Sequence, residues 1–164
     1  DQERCAEELS GVDGIILPNV RMAGRDEACS FLDGEGRCSI HSARPGFCRL
    51  FPLGRYYTDD GFRYILQIHE CERAGRTKVK VSKWIDTEDL PRYTKYINDW
   101  HKFQKDMQRN LIEYMRAGED ETARNQTMLV LQVMYVGMYD AEKDFYDQFD
   151  ARLAHIRSLL CMTE

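Results

Sequence analysis

The distribution of the cysteines constrains this chain more than any other feature of its sequence. Five of the six cysteines lie in the first 71 residues, and Cys161 lies near the carboxyl end. Cys29, Cys38 and Cys48 fall within 20 positions, and Cys71 follows them. Six cysteines in 164 residues are too few for a small scaffold built from disulfides. Clustered thiols without a secretion signal therefore favour a metal site.

A tetrahedral thiolate site, for Zn²⁺ or for an iron–sulfur cluster, needs four ligands. Four clustered cysteines supply that number, and two nearby histidines are candidate substitutes for one of them: Cys29, Cys38, Cys48 and Cys71, with His41 and His69. The first three cysteines are separated by eight and then nine residues, which matches no common zinc finger. Spacing therefore leaves two alternatives open, namely reduced cysteines in a small core and disulfide pairs.

The residue pattern changes near residue 85. Residues 1–85 contain three of the four prolines and most of the glycines, and their apolar segments are short. Four segments predict strands or hairpin turns: an extended segment at 13–22, turns at 33–36 and 59–61, and a strand in the alternating sequence TKVKVSKW at 77–84. A module this small needs an additional support for its fold, and a bound metal is one such support.

Residues 86–164 show the apolar periodicity of helices. The first predicted helix begins at Asp86 or Thr87 and ends near Gly118. The second, over 120–140, is apolar nearly all round and is expected to be central, and a third follows over 141–160. The predicted fold is therefore α+β, with a cysteine-rich module of short β-hairpins over residues 1–85. A C-terminal three-helix bundle over residues 86–164 follows it.

Residues 29–52 carry a resemblance to a known family. Their sequence, CSFLDGEGRCSIHSARPGFCRLFP, resembles the second half of the motif of the CxxCxxCC family of zinc- or iron-chelating domains. That pattern is C-x-F-L, then G-x-C-x-I-[YH]-x-x-R-P-x-x-C-R-x-F-P, then a later cysteine, to which Cys71 corresponds. The resemblance implies that the chain binds Zn²⁺ or a [4Fe-4S] cluster through Cys29, Cys38, Cys48 and Cys71.

The chain departs from the family pattern in one respect. The CxxCxxCC run that normally precedes this region is absent, and Cys5 stands by itself in ERCAEEL. We expect either that a segment carrying this run precedes the chain or that the run has been lost. With that run, the protein would hold eight ligands and therefore two metals, or a cluster and a metal.

Two other functions are alternatives to simple metal binding. One branch of the family resembles flagellin lysine N-methylases, which implies a protein-lysine N-methylase-like enzyme that uses an iron–sulfur cluster. The sequence has no glycine-rich loop for S-adenosylmethionine after a strand, and no catalytic residue is assigned. The third hypothesis is a metal-free helical domain that contacts a protein partner.

Two arginines, Arg44 and Arg49, flank the third cysteine. Their guanidinium groups are expected to satisfy carbonyl oxygens of the surrounding loop, because arginine offers five donors in a fixed geometry.

The remaining predictions concern partners and location. The formal net charge of −5 argues against a nucleic-acid partner. No stretch approaches the roughly 20 apolar residues needed to span a bilayer, so no membrane partner is expected. The expected partners are a metal ion or cluster and a protein. The predicted location is the cytoplasm, because the sequence shows no secretion signal.

Overall fold

Short antiparallel strand pairs come first in the chain and long helices come second, which confirms the α+β class. The computed structural model describes residues 8–12, 15–24, 28–68, 75 and 77–162. The strands in these residues are β1 (Glu8–Val12), β2 (Ile15–Asn19), β3 (Met22–Ala23), β4 (Ala28–Cys29), β5 (Leu53–Thr58) and β6 (Gly61–Leu66). They pair consecutively into two-stranded sheets, β1 with β2, β3 with β4, and β5 with β6.

Helices make up most of the second half. They are α1 (Gly46–Leu50), α2 (Val81–Ile85), α3 (Leu90–Arg116), α4 (Asp120–Leu131) and α5 (Phe145–Leu159). A 3-10 turn at His41–Ala43 precedes α1, and a π-helical turn at Gln132–Val136 extends α4. Helix α3 begins a few residues later than predicted, because the side chain of Asp89 caps it by accepting a hydrogen bond from Arg92 N at 3.0 Å. It ends as predicted near Gly118, whose φ is +76°.

The predicted hairpin around residues 59–61 is confirmed. Strands β5 and β6 pair from Leu53 opposite Leu66 to Thr58 opposite Gly61. Gly61 has a φ of +127°, and a Cβ there would lie 3.2 Å from Asn98 Nδ2 on α3. The hairpin therefore rests on α3 at a point where only glycine fits.

The strand predicted over residues 77–84 is wrong. Residues 77–80 have no regular structure, and α2 begins at Val81. Val79 and the neighbouring Lys80 are both exposed, so the alternation does not correspond to two faces of a strand. Helix α2 instead docks on α1: Ile85 is buried, and Trp84 Nε1 donates to Phe51 O at 3.1 Å.

The main core lies between α3, α4, the π-helical turn and α5. Its buried members are Ile15, Phe103, Met107, Leu111, Ala123, Val130, Met134, Phe149, Leu153 and Ile156. Ile15 shows that β2 packs on the bundle. The prediction that the second helix is apolar nearly all round needs correction, because Met128 on α4 is 45% exposed while Val130 is fully buried. Helix α4 is therefore amphipathic.

Ion pairs connect the two outer helices of the bundle. Arg92 on α3 pairs with Asp144 at the start of α5 at 2.8 Å, and Lys95 on α3 pairs with Asp150 on α5 at 3.0 Å.

Among the described helices, none has the length and hydropathy needed to cross a membrane.

Candidate metal centre

Two of the predicted ligands are held by a small turn. Cys29 lies on β4, where it pairs with Met22 on β3. Cys38 lies opposite Leu32 in an isolated antiparallel bridge, and the backbone N–H of Leu32 donates to Cys29 O at 3.0 Å. Between them, Asp33 Oδ1 accepts hydrogen bonds from the backbone N–H groups of Glu35 and Arg37, each at 2.9 Å. This turn brings Cys38 back towards Cys29, as the DGEG sequence predicts.

The third predicted ligand lies on α1. The backbone N–H of Cys48 donates to Pro45 O at 3.0 Å in the first turn of this helix. Pro45 lacks an N–H and has a fixed φ, so it suits the residue before a helix. A Cβ at Gly46 would lie 3.6 Å from Tyr93 Oη, so the start of α1 lies next to α3. Helix α3 therefore supports the position of Cys48.

The environment of the third thiol, Cys48, includes the other two. The pKa of Cys48 is raised first by burial, then by the charges of Cys29 and Cys38, while Arg44 acts in the opposite direction. Charge effects of this kind require that the groups lie within interaction range. Cys48 therefore lies within electrostatic range of Cys29 and Cys38, which precede it by 19 and 10 positions in the sequence.

Arg49 supports the backbone around Cys48, and its predicted structural role is confirmed. Its guanidinium donates to three backbone carbonyl oxygens: Arg44 O at 3.3 Å, Asp86 O at 3.3 Å and Ser42 O at 3.4 Å. The contact with Asp86 joins the cysteine loop to the end of α2. Arg44 instead acts on Cys48 electrostatically, by opposing the rise of its thiol pKa.

The other candidate ligands are placed differently. His41 is exposed at the start of the 3-10 turn, and Cys71 and His69 lie outside the described residues. Four cysteines are described, and all of them are free thiols: Cys29, Cys38, Cys48 and Cys161. No disulfide pair is therefore present among them. Within the described ranges, no group of three His, Cys, Asp or Glu side chains could hold a metal ion.

The structure adds three residues next to α1 that sequence patterns did not indicate. Arg55 on β5 donates to Tyr93 Oη and lies over the rings of Phe62 and Tyr93, 5.4 and 5.6 Å from their centres. Among the residues that the structure describes, Arg55 Nε is buried without a hydrogen-bond partner. Arg55 and Tyr93 are 38 positions apart, so no local pattern could have predicted this cluster.

Comparison with known proteins supports the predicted resemblance. Residues 3–73 match the family model CxxCxxCC, whose description is "Putative zinc- or iron-chelating domain". The matched range contains the three described cysteines of the site and Cys71, and the resemblance predicted from the sequence is confirmed over it. No curated protein and no solved structure matches the chain significantly. The family match supports metal binding as the general function of the N-terminal part.

Proposed function

We propose that the N-terminal part of this protein binds one Zn²⁺ ion or one [4Fe-4S] cluster in a structural site. The proposed ligands are Cys29, Cys38, Cys48 and Cys71, with His41 and His69 as candidate substitutes for one thiolate. The observation that carries the proposal is the family match over residues 3–73, a range that contains all four proposed cysteine ligands.

The described thiols do not by themselves form a group that could hold a metal ion, but thiolates are the donors that soft metals prefer. Neighbouring thiolates repel one another, which is why Cys29 and Cys38 raise the pKa of Cys48. A bound cation reverses this effect and holds coordinating thiols in the deprotonated form. Zn²⁺ and iron–sulfur clusters both accept four thiolates. Arg44 favours the same thiolate form of Cys48, and Arg49 holds the loop that carries it.

The small core of the module also supports a structural role. Outside the core of the bundle, Phe31, Leu50 and Ile85 are the buried apolar residues described in residues 28–85. Three buried apolar side chains are a small core for the described part of these residues. A site with four thiolates has no open coordination position, so its metal would stabilise the fold rather than bind a substrate. The free energy of metal binding is then part of the free energy of folding.

Metal analysis of anaerobically purified protein tests the proposal. We expect about one zinc, or about four irons with four sulfides, per chain. A broad absorption band near ~400 nm would identify the cluster, and a colourless zinc-containing protein would identify the ion. The variant Cys38→Ser with Cys48→Ser should lose the metal.

Cys161→Ser is the matched control, because Cys161 is an exposed thiol near the carboxyl end. This control should retain the metal in full. Protein that contains neither zinc nor iron, in the wild type and the control alike, would overturn the proposal and favour the metal-free interaction domain.

A reducing compartment suits this site, and we propose the cytoplasm as its location. The described cysteines are free thiols, and thiols remain reduced where glutathione and thioredoxin act. Cell fractionation tests this location, which recovery of the protein outside the cytoplasm would contradict.

A further inference from the structure

An exposed apolar patch with a positive border lies on α1 and α2. Three aromatic side chains form its apolar centre: Phe47 is 58% exposed, Phe51 48% and Trp84 43%. We call this surface the basic patch because of its positive border. Phe51 lies one helical turn after Phe47, and Trp84 Nε1 donates to Phe51 O, so the three are neighbours. Lys80, directly before α2, and Lys83, within α2, are both exposed. A contiguous exposed patch of large aromatic residues indicates an interaction surface.

The charge around this patch is strongly one-sided. Residues 41–58 and 77–85 contain no Asp or Glu, but they contain six cations: Arg44, Arg49, Arg55, Lys78, Lys80 and Lys83. Asp59 and Asp60 follow in the turn between β5 and β6. Asp86 is the first carboxylate after α2. None of the ion pairs within the described part of the chain involves Lys80 or Lys83. The basic patch therefore has positive charge available for an acidic surface.

A second patch has the opposite charge. Past the π-helical turn, Met138 is 79% exposed and Val136 56%. Residues 140–150 then contain five carboxylates and one lysine. Four cations pair with or contact this patch, namely Lys143, Arg92, Lys95 and Arg152, and Lys95 also pairs with Asp99. The net charge of this acidic patch is therefore −2 (6 acidic, 4 basic). Glu142 is exposed and takes part in no ion pair of the described residues.

Both patches adjoin the first turns of α3. On one side, Gly46 at the start of α1 lies against Tyr93. On the other side, Arg92 pairs with Asp144, next to the acidic patch. Two surfaces of opposite charge at one end of a molecule can meet reciprocally across a two-fold axis. Each basic patch then covers the acidic patch of the other copy, and the assembly closes as a dimer.

We propose that the occupant of the basic patch is the acidic patch of a second copy of this chain, in a two-fold dimer. Aromatic side chains at the centre of an interface with a charged border are typical of binding surfaces. Met138 and Val136 supply apolar partners for Phe47, Phe51 and Trp84, and Glu142 supplies a carboxylate for Lys80 or Lys83.

Sedimentation equilibrium of the metal-loaded protein tests the dimer. We expect a monomer–dimer equilibrium whose dissociation constant rises about tenfold or more when the salt concentration is raised from low to high, because salt screens the charged border. Trp84→Ala should weaken the dimer by about tenfold or more, as expected for a buried aromatic anchor. Met115→Ala, on an exposed methionine at the far end of α3, is the matched control and should leave the dimer unchanged.

Charge reversal distinguishes this partner from others. Lys80→Glu with Lys83→Glu should give a monomer, and Glu142→Lys should weaken the dimer. A mixture of the two variants should form the mixed dimer again. Circular dichroism and metal content verify that each variant is folded. A monomeric wild type, a dimer that neither charge variant weakens, or growth into longer assemblies would overturn the proposal. So would a monomer that binds a single-stranded oligonucleotide through Lys80 and Lys83.

Discussion

The cysteine module and the helical bundle are stabilised in different ways. In the bundle, Phe103, Met107 and Val130 are fully buried, and a continuous apolar core joins three helices. In the module, the connections are turns, arginine contacts and short strand pairs around three thiols. The described part of the module has few buried apolar side chains, so we expect its stability to depend on the metal.

Removal of the metal should have the largest effect on the difference between the two regions. Zinc-finger peptides bind their metal with an apparent free energy of about 10–16 kcal/mol at pH 7, and they unfold without it. After treatment with a chelator, residues 29–50 should lose protection in hydrogen exchange, while α3 and α5 keep theirs. Mass spectrometry of the exchanged peptides measures both regions at once. Full protection of α1 in metal-free protein would contradict the difference between the two regions.

Truncation of the bundle core is the converse test. Phe103 is fully buried, its ring stacks on Trp100 with centres 5.4 Å apart, and Arg157 lies over it. Phe103→Ala should lower the free energy of unfolding by about 3–5 kcal/mol, as measured by urea denaturation. The exposed Met115→Ala should change it by less than about 0.5 kcal/mol. Folded Phe103→Ala should keep its metal, and loss of the metal would mean that the two regions unfold together.

Alkaline pH should also lower the stability of the bundle. Burial raises the pKa of Tyr96 to about 12, against an ordinary value near 10. A group whose pKa is raised in the folded state stabilises it below the unfolded pKa, and that contribution is lost as pH rises from about 10 to 12. Two pKa units correspond to about 2–3 kcal/mol.

Tyr96→Phe removes this contribution. The wild type and the variant should therefore differ in the slope of unfolding free energy against pH above pH 10, and the wild type should fall more steeply. Tyr56→Phe is a control, because Tyr56 is 61% exposed on β5. Equal slopes for the wild type and Tyr96→Phe would show that Tyr96 ionises in the folded state as readily as in the unfolded one.

Features set by neighbouring residues were predictable from the sequence. Gly118 ends α3, the DDG sequence turns the hairpin of β5 and β6, and the 3.6-residue period finds the helices of the bundle. The segment at 77–84 failed because its alternation resembles a strand, whereas the docking of Trp84 on Phe51, 33 positions away, decides its structure. A local pattern does not contain that contact.

The π-helical turn also depends on contacts between residues that are far apart in the sequence. Arg152 on α5 donates to Val133 O and Gly137 O at the end of this turn. The carbonyls and their donor belong to different helices, so the sequence around residues 132–136 predicts an ordinary helix. At the candidate site, the ligand set stays a prediction from the motif, whereas the contact between Arg55 and Tyr93 could not be predicted because 38 positions separate these residues.

The smallest predicted effect comes from Arg49, which belongs to the module. Arg49→Lys keeps the positive charge, but one ammonium cannot reach three carbonyl oxygens in the positions that the guanidinium reaches. The loss of these charged hydrogen bonds should cost about 1–2 kcal/mol, which corresponds to about a tenfold loss of metal affinity if α1 alone loosens. Competition with a chromophoric chelator measures that affinity.

Arg63→Lys, at an exposed position of β6, is the control and should bind metal as the wild type does. If Arg49→Lys weakens metal binding and leaves the urea unfolding of the bundle unchanged, the connection between α1 and α2 stabilises the module only. If it lowers the stability of the bundle equally, Arg49 connects the two regions through Asp86, and the module and the bundle form one cooperative unit.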